Sequence, residues 1–263
     1  MKVTILGSGT STGVPMVGCR CRVCSSDDPR DKRTRASLLI QHNGRNILID
    51  TSTDLRIQAL REGIERIDAV LFTHSHADHV NGIDDLRGFH FLHKEIIPCF
   101  GSRVTLDTLL AGFSYIFHEY EGSGYTPILK PVEVAEPFEL FGLTVIPVPL
   151  MHGRTQALGF RIGSFAYLTD CNGIPPASLG LLGGLDLLVV DGLRWKSHPF
   201  HFNIEEAIAA TRPLKPVRTL LTHLSHDVLF TDGAALPQGY EFACDGMTFD
   251  IHAAGSTAGG SNA

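Results

Sequence analysis

Short apolar runs separated by turn residues set the rhythm of this chain. In the first half they are VTILG (3–7), ASLLIQH (36–42), NILID (46–50) and AVLFTH (69–74). In the second half they are LTVIPVPL (143–150), ALGFRIG (157–163), FAYLTD (165–170), DLLVVDG (186–192), RTLLTH (218–223) and MTFDIH (247–252). Their lengths and β-branched content predict strands. Three stretches carry helical spacing instead: DLRIQALREGI (54–64), GIDDLRGFHFLHK (82–94) and IEEAIAATR (204–212). Asn203, with Glu206 three positions later, predicts a capped start for the last of these. Strands interleaved with helices from end to end predict an α/β fold. Two similar halves, about 1–130 and 131–252 with no linker between them, predict two facing sheets flanked by helices in one domain spanning 1–252. The small, polar residues 253–263 have nothing to bury and predict a disordered tail.

Composition narrows the classes of function. The chain has 263 residues, of which 43% are hydrophobic, and that suffices for one large core. A formal charge of −6 gives no broad attraction for extended nucleic acid or an anionic membrane, so a small anionic substrate is easier to accommodate. No apolar stretch reaches signal-peptide or membrane-span length, which leads us to expect a cytoplasmic protein without a membrane partner. A homodimer is compatible with all of this.

The chemistry concentrates in FTHSHADHVNGID (72–84). Burying three histidines and an aspartate within six positions is costly unless something binds them. His74 and His76 share one side while the backbone stays extended, and a turn toward a helix lets Asp78 and His79 address a neighbouring point. One motif can therefore serve two metal ions, provided that other strand ends supply the missing ligands. They are present: His152 closes VPLMH, Asp170 closes FAYLTD and His223 closes TLLTH. Open α/β sheets place ligands at these carboxyl edges. His42, His90, His93, His118 and His252 have no such setting and read as ordinary residues.

A second cluster is CRCRVC, with Cys19, Cys21 and Cys24. In a reducing compartment three crowded thiols suit a metal better than disulfides, yet a closed tetrahedral zinc site needs a fourth ligand. His226, three residues past His223, is the best candidate. Cys99, Cys171 and Cys244 stand alone and read as small buried residues.

H-x-H-x-D-H followed by spaced His, Asp and His resembles the metallo-β-lactamase superfamily over about residues 1–252. The resemblance implies an αββα four-layer sandwich of two mixed sheets. It also implies one metal on His74, His76 and His152, a second on Asp78, His79 and His223, and Asp170 bridging the two. Asp50, ending NILID, matches an early-strand aspartate that supports the ligands, and a simple strand-end cap is the competing reading. GSGTSTGVPMVGCRCRVC (7–24), HPFHFNIEEA (198–207) and LTHLSH (221–226) resemble the PhnP-like phosphoribosyl cyclic phosphodiesterase branch. That branch implies a structural zinc on Cys19, Cys21, Cys24 and His226. It also implies a catalytic histidine ahead of a helix start, which matches His201, with His198 as its rival.

These resemblances imply hydrolysis of a small cyclic phosphate ester. Two divalent ions, Zn, Mn or Fe, would acidify a shared water and clamp a phosphoryl oxygen, with Asp78 and Asp170 at the centre and His201 as general acid. A second substrate phosphate would need a cation, and the sequence offers Arg30, Lys32, Arg33, Arg35, Arg194 and Lys196. The stretch 100–129 is longer and more aromatic than the branch leads one to expect and is a candidate for shaping the mouth of the site. A nuclease, a thioester or lactam hydrolase, and a non-catalytic accessory protein of cofactor biosynthesis remain as alternatives.

Overall fold

The computed structural model describes residues 1–119 and 126–251. Residues 253–263, expected to form a tail, and His252 lie outside the described residues, as do 120–125 of the aromatic stretch.

The first half supplies β1 (Lys2–Gly7), β2 (Ser37–His42), β3 (Arg45–Ile49), β4 (Ala69–Leu71), β5 (Ile97–Gly101) and β6 (Leu129–Glu133). The second supplies β7 (Phe138–Leu140), β8 (Leu143–His152), β9 (Thr155–Ile162), β10 (Phe165–Leu168), β11 (Leu187–Asp191), β12 (Arg218–Thr222) and β13 (Tyr240–Phe242). The last described strand, β14 (Thr248–Asp250), crosses back to pair antiparallel with β1, Lys2 opposite Asp250. The sheet orders are β14-β1-β2-β3-β4-β5-β6 and β13-β12-β11-β10-β9-β8-β7. Both sheets are mixed: β3 to β6 and β10 to β13 run parallel, and the remaining pairs are antiparallel.

Three bodies of apolar contact define four layers. Between the sheets, Ile5, Leu38, Ile47, Leu71, Val145, Phe160, Tyr167 and Val189 interdigitate. The outer face of the first sheet packs Leu48, Val70 and Phe72 against Leu55 of α1 (Leu55–Arg61), and residues that follow α2 (Ala77–Val80), such as Leu86 at the head of α3 (Leu86–His93), join the same cluster. Leu106 and Leu109 of α4 (Arg103–Gly112) and Ile116 and Phe117 of α5 (Ser114–Phe117) belong to it as well. The described part of the aromatic stretch is therefore largely cover for the first sheet. On the second sheet, Leu188 and Val190 meet Ile204 and Ala207 of α7 (Ile204–Thr211), while α6 (Pro176–Leu179) lies over β8. This is an αββα sandwich, and each fully buried leucine or valine in it is worth roughly 1.5–3 kcal/mol over its exposed state.

The helices follow the sequence pattern with trimmed ends. The segment 82–94 splits into a short 3-10 turn, Ile83–Asp85, and α3, which stops where Lys94 adopts a left-handed φ of 57°. At α7 the Asn203 side chain accepts from the Glu206 amide and the Glu206 carboxylate accepts from the Asn203 amide, closing the expected box. No helix among the described residues is long and apolar enough to cross a membrane.

Candidate metal centres and active site

Six strand ends meet at one edge of the sandwich: β3 delivers Asp50, β4 leads to His74–His79, β8 ends in His152, β10 precedes Asp170, β11 ends in Asp191 and β12 precedes His223. Asp50 and His223 both have φ of 60°, a left-handed conformation that side chains with a Cβ rarely adopt. Each follows the last residue of a strand, so the chain turns sharply where a side chain must enter the cleft.

The expected ligands fall into two groups sharing one carboxylate. His74, His76, His152 and Asp170 offer atoms all within 4.8 Å of one another, as do Asp78, His79, Asp170 and His223. Asp170 Oδ2 lies 3.8 Å from His74 Nε2 and 3.3 Å from both His79 Nε2 and His223 Nε2. Its other oxygen accepts from the Thr169 hydroxyl at 2.8 Å, which fixes the carboxylate plane.

Neighbouring groups aim the imidazoles. His79 Nδ1 lies 2.7 Å from Asp50 Oδ2, and Asp50 also accepts from the Thr73 amide and hydroxyl at 2.8 Å each. Asp50 thus does more than cap its strand. His74 Nδ1 meets the Thr73 hydroxyl at 2.9 Å, and His152 Nδ1 donates to the Phe200 carbonyl at 2.8 Å. Engaging Nδ1 leaves Nε2 free to ligate.

Charge in the cluster is tightly interdependent. Burial pulls His74 and His152 below the usual imidazole range, toward the neutral form a metal needs. Burial also acts against charge on Asp170, but the His223 and His79 imidazoles hold its carboxyl well below the normal range.

Among the described residues, His74 Nε2, His79 Nε2, His223 Nε2 and Asp78 Oδ2 are buried without hydrogen-bond partners. Orphaned polar atoms of this kind cost free energy unless a ligand satisfies them. Their convergence on a shared carboxylate fits a pair of divalent cations.

The second candidate centre joins distant parts of the chain. His226 Nδ1 lies 3.3, 3.5 and 3.7 Å from the Sγ atoms of Cys19, Cys21 and Cys24. The Cys24 amide donates to Cys21 Sγ and, against the cost of burial, brings that thiol down to about 6, whereas burial pushes Cys24 up to about 11. Three sulfurs and an imidazole nitrogen converging in this way make a donor set that suits tetrahedral zinc, which would bind the thiols as thiolates. The cysteine loop is also bound to the chain carrying His223. The Leu224 amide donates to the Ser8 carbonyl at 2.9 Å, and the buried Arg33 guanidinium donates to the Val228 carbonyl at 2.9 Å.

His201 lies beside the first cluster, its ring stacked on His223 at 4.7 Å and its Nδ1 2.6 Å from Asp191 Oδ2. Burial lowers the imidazole's proton affinity, but the Asp191 carboxylate overrides it and holds His201 up at about 9. His198, the rival, has its ring 5.1 Å from that of His201 and accepts from the Phe200 amide at 3.3 Å.

Two residues at this edge escaped the sequence analysis. Asp191 closes the apolar run LLVV within DLLVVDG, with the signal that singled out Asp170. Arg154, in the β8–β9 turn, lines a cavity of about 730 Å³ with His76, His152 and Phe200.

The cations offered for a substrate phosphate are mostly committed elsewhere. Arg30 pairs with Asp28, Arg33 with Asp31, Arg35 with Asp54, and Lys32 bonds the Cys24 carbonyl. Arg194 lies 3.8 Å from Asp227, and Lys196 is exposed. Cys99 and Cys171 are buried as expected, whereas Cys244 is only partly so. His90 and His93 bond the carbonyls of Glu95 and Glu65. A larger cavity of about 820 Å³, bounded by Leu60, Leu92 and His93, contains none of the clustered residues.

Residues 45–224 match the model of the beta-lactamase superfamily domain. An octanoyltransferase of Porphyromonas gingivalis is 47% identical over 230 residues, 86% of this chain, while the chain spans only 46% of that relative's length. A solved structure described as a new diphosphatase from the PhnP family is 42% identical, with a TM-score of 0.89 over 96% of this chain and 98% of that one. Zinc-bound PqqB from Methylobacterium extorquens superposes at a TM-score of 0.76 over 95% of this chain and all of its own, but at 21% identity it speaks for the fold alone. The chain belongs to the metallo-β-lactamase superfamily and is a PhnP-like member of it.

Proposed function

We propose that this chain is a metal-dependent hydrolase that cleaves a small phosphoric diester, with a cyclic phosphate ester of a sugar as the reference substrate. The observation carrying this reading is the position of Asp170 Oδ2, within 3.3–3.8 Å of three imidazoles from two ligand groups and 4.0 Å from His201 Nδ1. His74, His76 and His152 would hold one divalent ion, Asp78, His79 and His223 another, with Asp170 between them. Zn, Mn and Fe all suit such mixed imidazole and carboxylate ligands. When bound, the pair supplies Lewis-acid polarisation of a phosphoryl oxygen and acidifies a water molecule.

The chain's own residues supply the remainder. Asp50 and the Phe200 carbonyl fix the rings of His79 and His152. Asp191 engages Nδ1 of His201 and leaves Nε2 to give a proton to the departing oxygen. Cys19, Cys21, Cys24 and His226 would hold a zinc ion that ties the N-terminal loop to the segment bearing His223.

Breaking a phosphoric anhydride is the second reading, favoured by the 42% identical structure whose description calls it a diphosphatase. Both substrates present a phosphorus atom carrying two ester or anhydride oxygens. Turnover of bis(p-nitrophenyl) phosphate, cyclic sugar phosphates, a nucleoside diphosphate and a thioester by metal-loaded protein decides. Hydrolysis at phosphorus alone is expected, and thioester cleavage without phosphodiester cleavage would overturn the proposal.

A further inference from the structure

His201 and Asp191 belong to neither ligand group of the paired-ion centre, yet with Asp170 and His223 they form a further group of donors. One nitrogen or carboxylate oxygen from each of the four lies within 4.8 Å of the others. His201 Nδ1 is 2.6 Å from Asp191 Oδ2 and 4.0 Å from Asp170 Oδ2, and its ring stacks on that of His223 at 4.7 Å. The hydrogen bonds of Asp191 leave part of it unused. Its Oδ2 serves both the His201 ring and the Cys171 amide, whereas its Oδ1 is buried with no hydrogen-bond partner. A buried carboxylate oxygen left bare is costly, and a cation at the carboxylate would satisfy it.

The spacing is near what an ion requires. Zinc bonds of about 2.0–2.1 Å in a tetrahedron set two ligand atoms roughly 3.3 Å apart, so His201 must withdraw from Asp191 by under about 1 Å. The imidazole lies on the solvent side of the pair, its side chain 12% exposed while that of Asp191 is fully buried. Charge sets the order of filling. Asp50, Asp78, Asp170 and Asp191 bring four buried carboxylates to this edge, and two divalent ions already balance them. A third ion displaces the Nδ1 proton of His201 to solvent and adds positive charge beside two cations, so it binds last and most weakly. Zinc binds imidazole and carboxylate donors more tightly than manganese does.

We propose that Asp191 and His201 are the primary ligands of a separate, inhibitory metal site that zinc fills when in excess, with Asp170 and His223 as neighbours shared with the paired centre. An ion there takes the nitrogen that Asp191 otherwise engages through a proton, and pulls Nε2 away from the departing oxygen. Occupancy therefore switches turnover off without removing either ion of the pair. The loss of rate rests on the proposed hydrolysis, whereas the uptake of a further ion does not.

The test starts from zinc-loaded protein dialysed to constant metal content. Equilibrium dialysis against rising zinc then counts ions per chain, in parallel with turnover of a cyclic sugar phosphate. Wild-type protein should take up one further ion, and turnover should fall with its occupancy by about 10²- to 10⁴-fold, the loss expected when a general acid is disabled. His201→Ala and Asp191→Asn, the latter keeping an acceptor for the Cys171 amide, should hold the starting ions and bind the further one at least about 10-fold more weakly. Their residual turnover should not respond to zinc over the range that inhibits wild-type protein. A further ion bound equally by wild type and both variants is an adventitious ion only and overturns the site, as does no uptake by wild-type protein. Uptake that depends on both residues but leaves turnover unchanged overturns the inhibitory role. Uptake that depends on both residues in protein that cleaves no phosphate ester upholds the site, and it is then the phosphodiester reading that fails.

Discussion

Asp191 Oδ2 lies 2.6 Å from His201 Nδ1 and also accepts the Cys171 amide at 2.9 Å, so one carboxylate at the end of β11 fixes both the histidine and the backbone next to Asp170. The two residues are ten positions apart and act as one unit. Removing the imidazole should cost on the order of 10² to 10⁴ in rate. Asp191→Ala, which leaves the ring in place but unaimed, should cost on the order of 10 to 10². In His201→Ala the loss should grow with the pKa of the leaving group, least for a phenolate and greatest for a sugar alkoxide. Rates for a leaving-group series check both variants, and equal losses across the series would leave His201 a positioning role only. The same dependence in His198→Ala would move the assignment to that residue.

Asp170→Ala should abolish hydrolysis, because one carboxylate serves both ligand groups. The fold should persist, since Asp170 lies beyond the end of β10 rather than in its ladder. Activity assays together with circular dichroism check this, and near-normal turnover with two bound metals would contradict it.

Cys21→Ser should release one zinc per chain and lower stability, because structural zinc contributes folding free energy directly. The ions at the His/Asp cluster should remain in the folded fraction. Metal analysis of the purified variant is the check, and unchanged zinc content would dismiss the cysteine site.

The pieces of this architecture differ in how far they can be read without the structure. His74 to His79 are legible because their spacing is local, and His152, Asp170 and His223 because each closes an apolar run. Asp191 closes a run equally well, but an aspartate at a strand end shows its meaning only once His201 folds back onto it. Arg154 is illegible for a different reason. A charged residue in a tight turn looks like any solvated one until the loop of Phe200 closes beside it. β5 and β6 escape because Pro98 and Pro131 interrupt their apolar pattern, and β7 and β13 because three residues carry too little alternation. The strand around Phe249 is readable, yet its return to the first sheet is a pairing across more than 240 positions that no local pattern encodes.

Asp68 offers a test of the scaffold apart from any metal. It precedes β4 and accepts from Arg45 at 2.7 Å, the Asn46 amide at 2.8 Å and Arg66 at 2.6 Å, tying β3 to the strand that leads to His74. Burial opposes its charge, but these donors hold its carboxyl below the usual range. A depressed folded pKa gives stability that is present above the unfolded pKa and lost as pH falls through the folded one. Asp68→Asn should therefore destabilise the protein by about 1.5–3 kcal/mol at neutral pH. Denaturant unfolding should show the difference narrowing below about pH 4, the unfolded carboxylate range.

Titrating metal-stripped protein with zinc or manganese, while following hydrolysis of bis(p-nitrophenyl) phosphate and counting bound ions, tests the two-ion centre most directly. The structure predicts that turnover rises only as the second ion enters the His/Asp cluster and is complete with two ions there, whether or not the cysteine site is filled. Full turnover with one ion in that cluster, or with none, would contradict it.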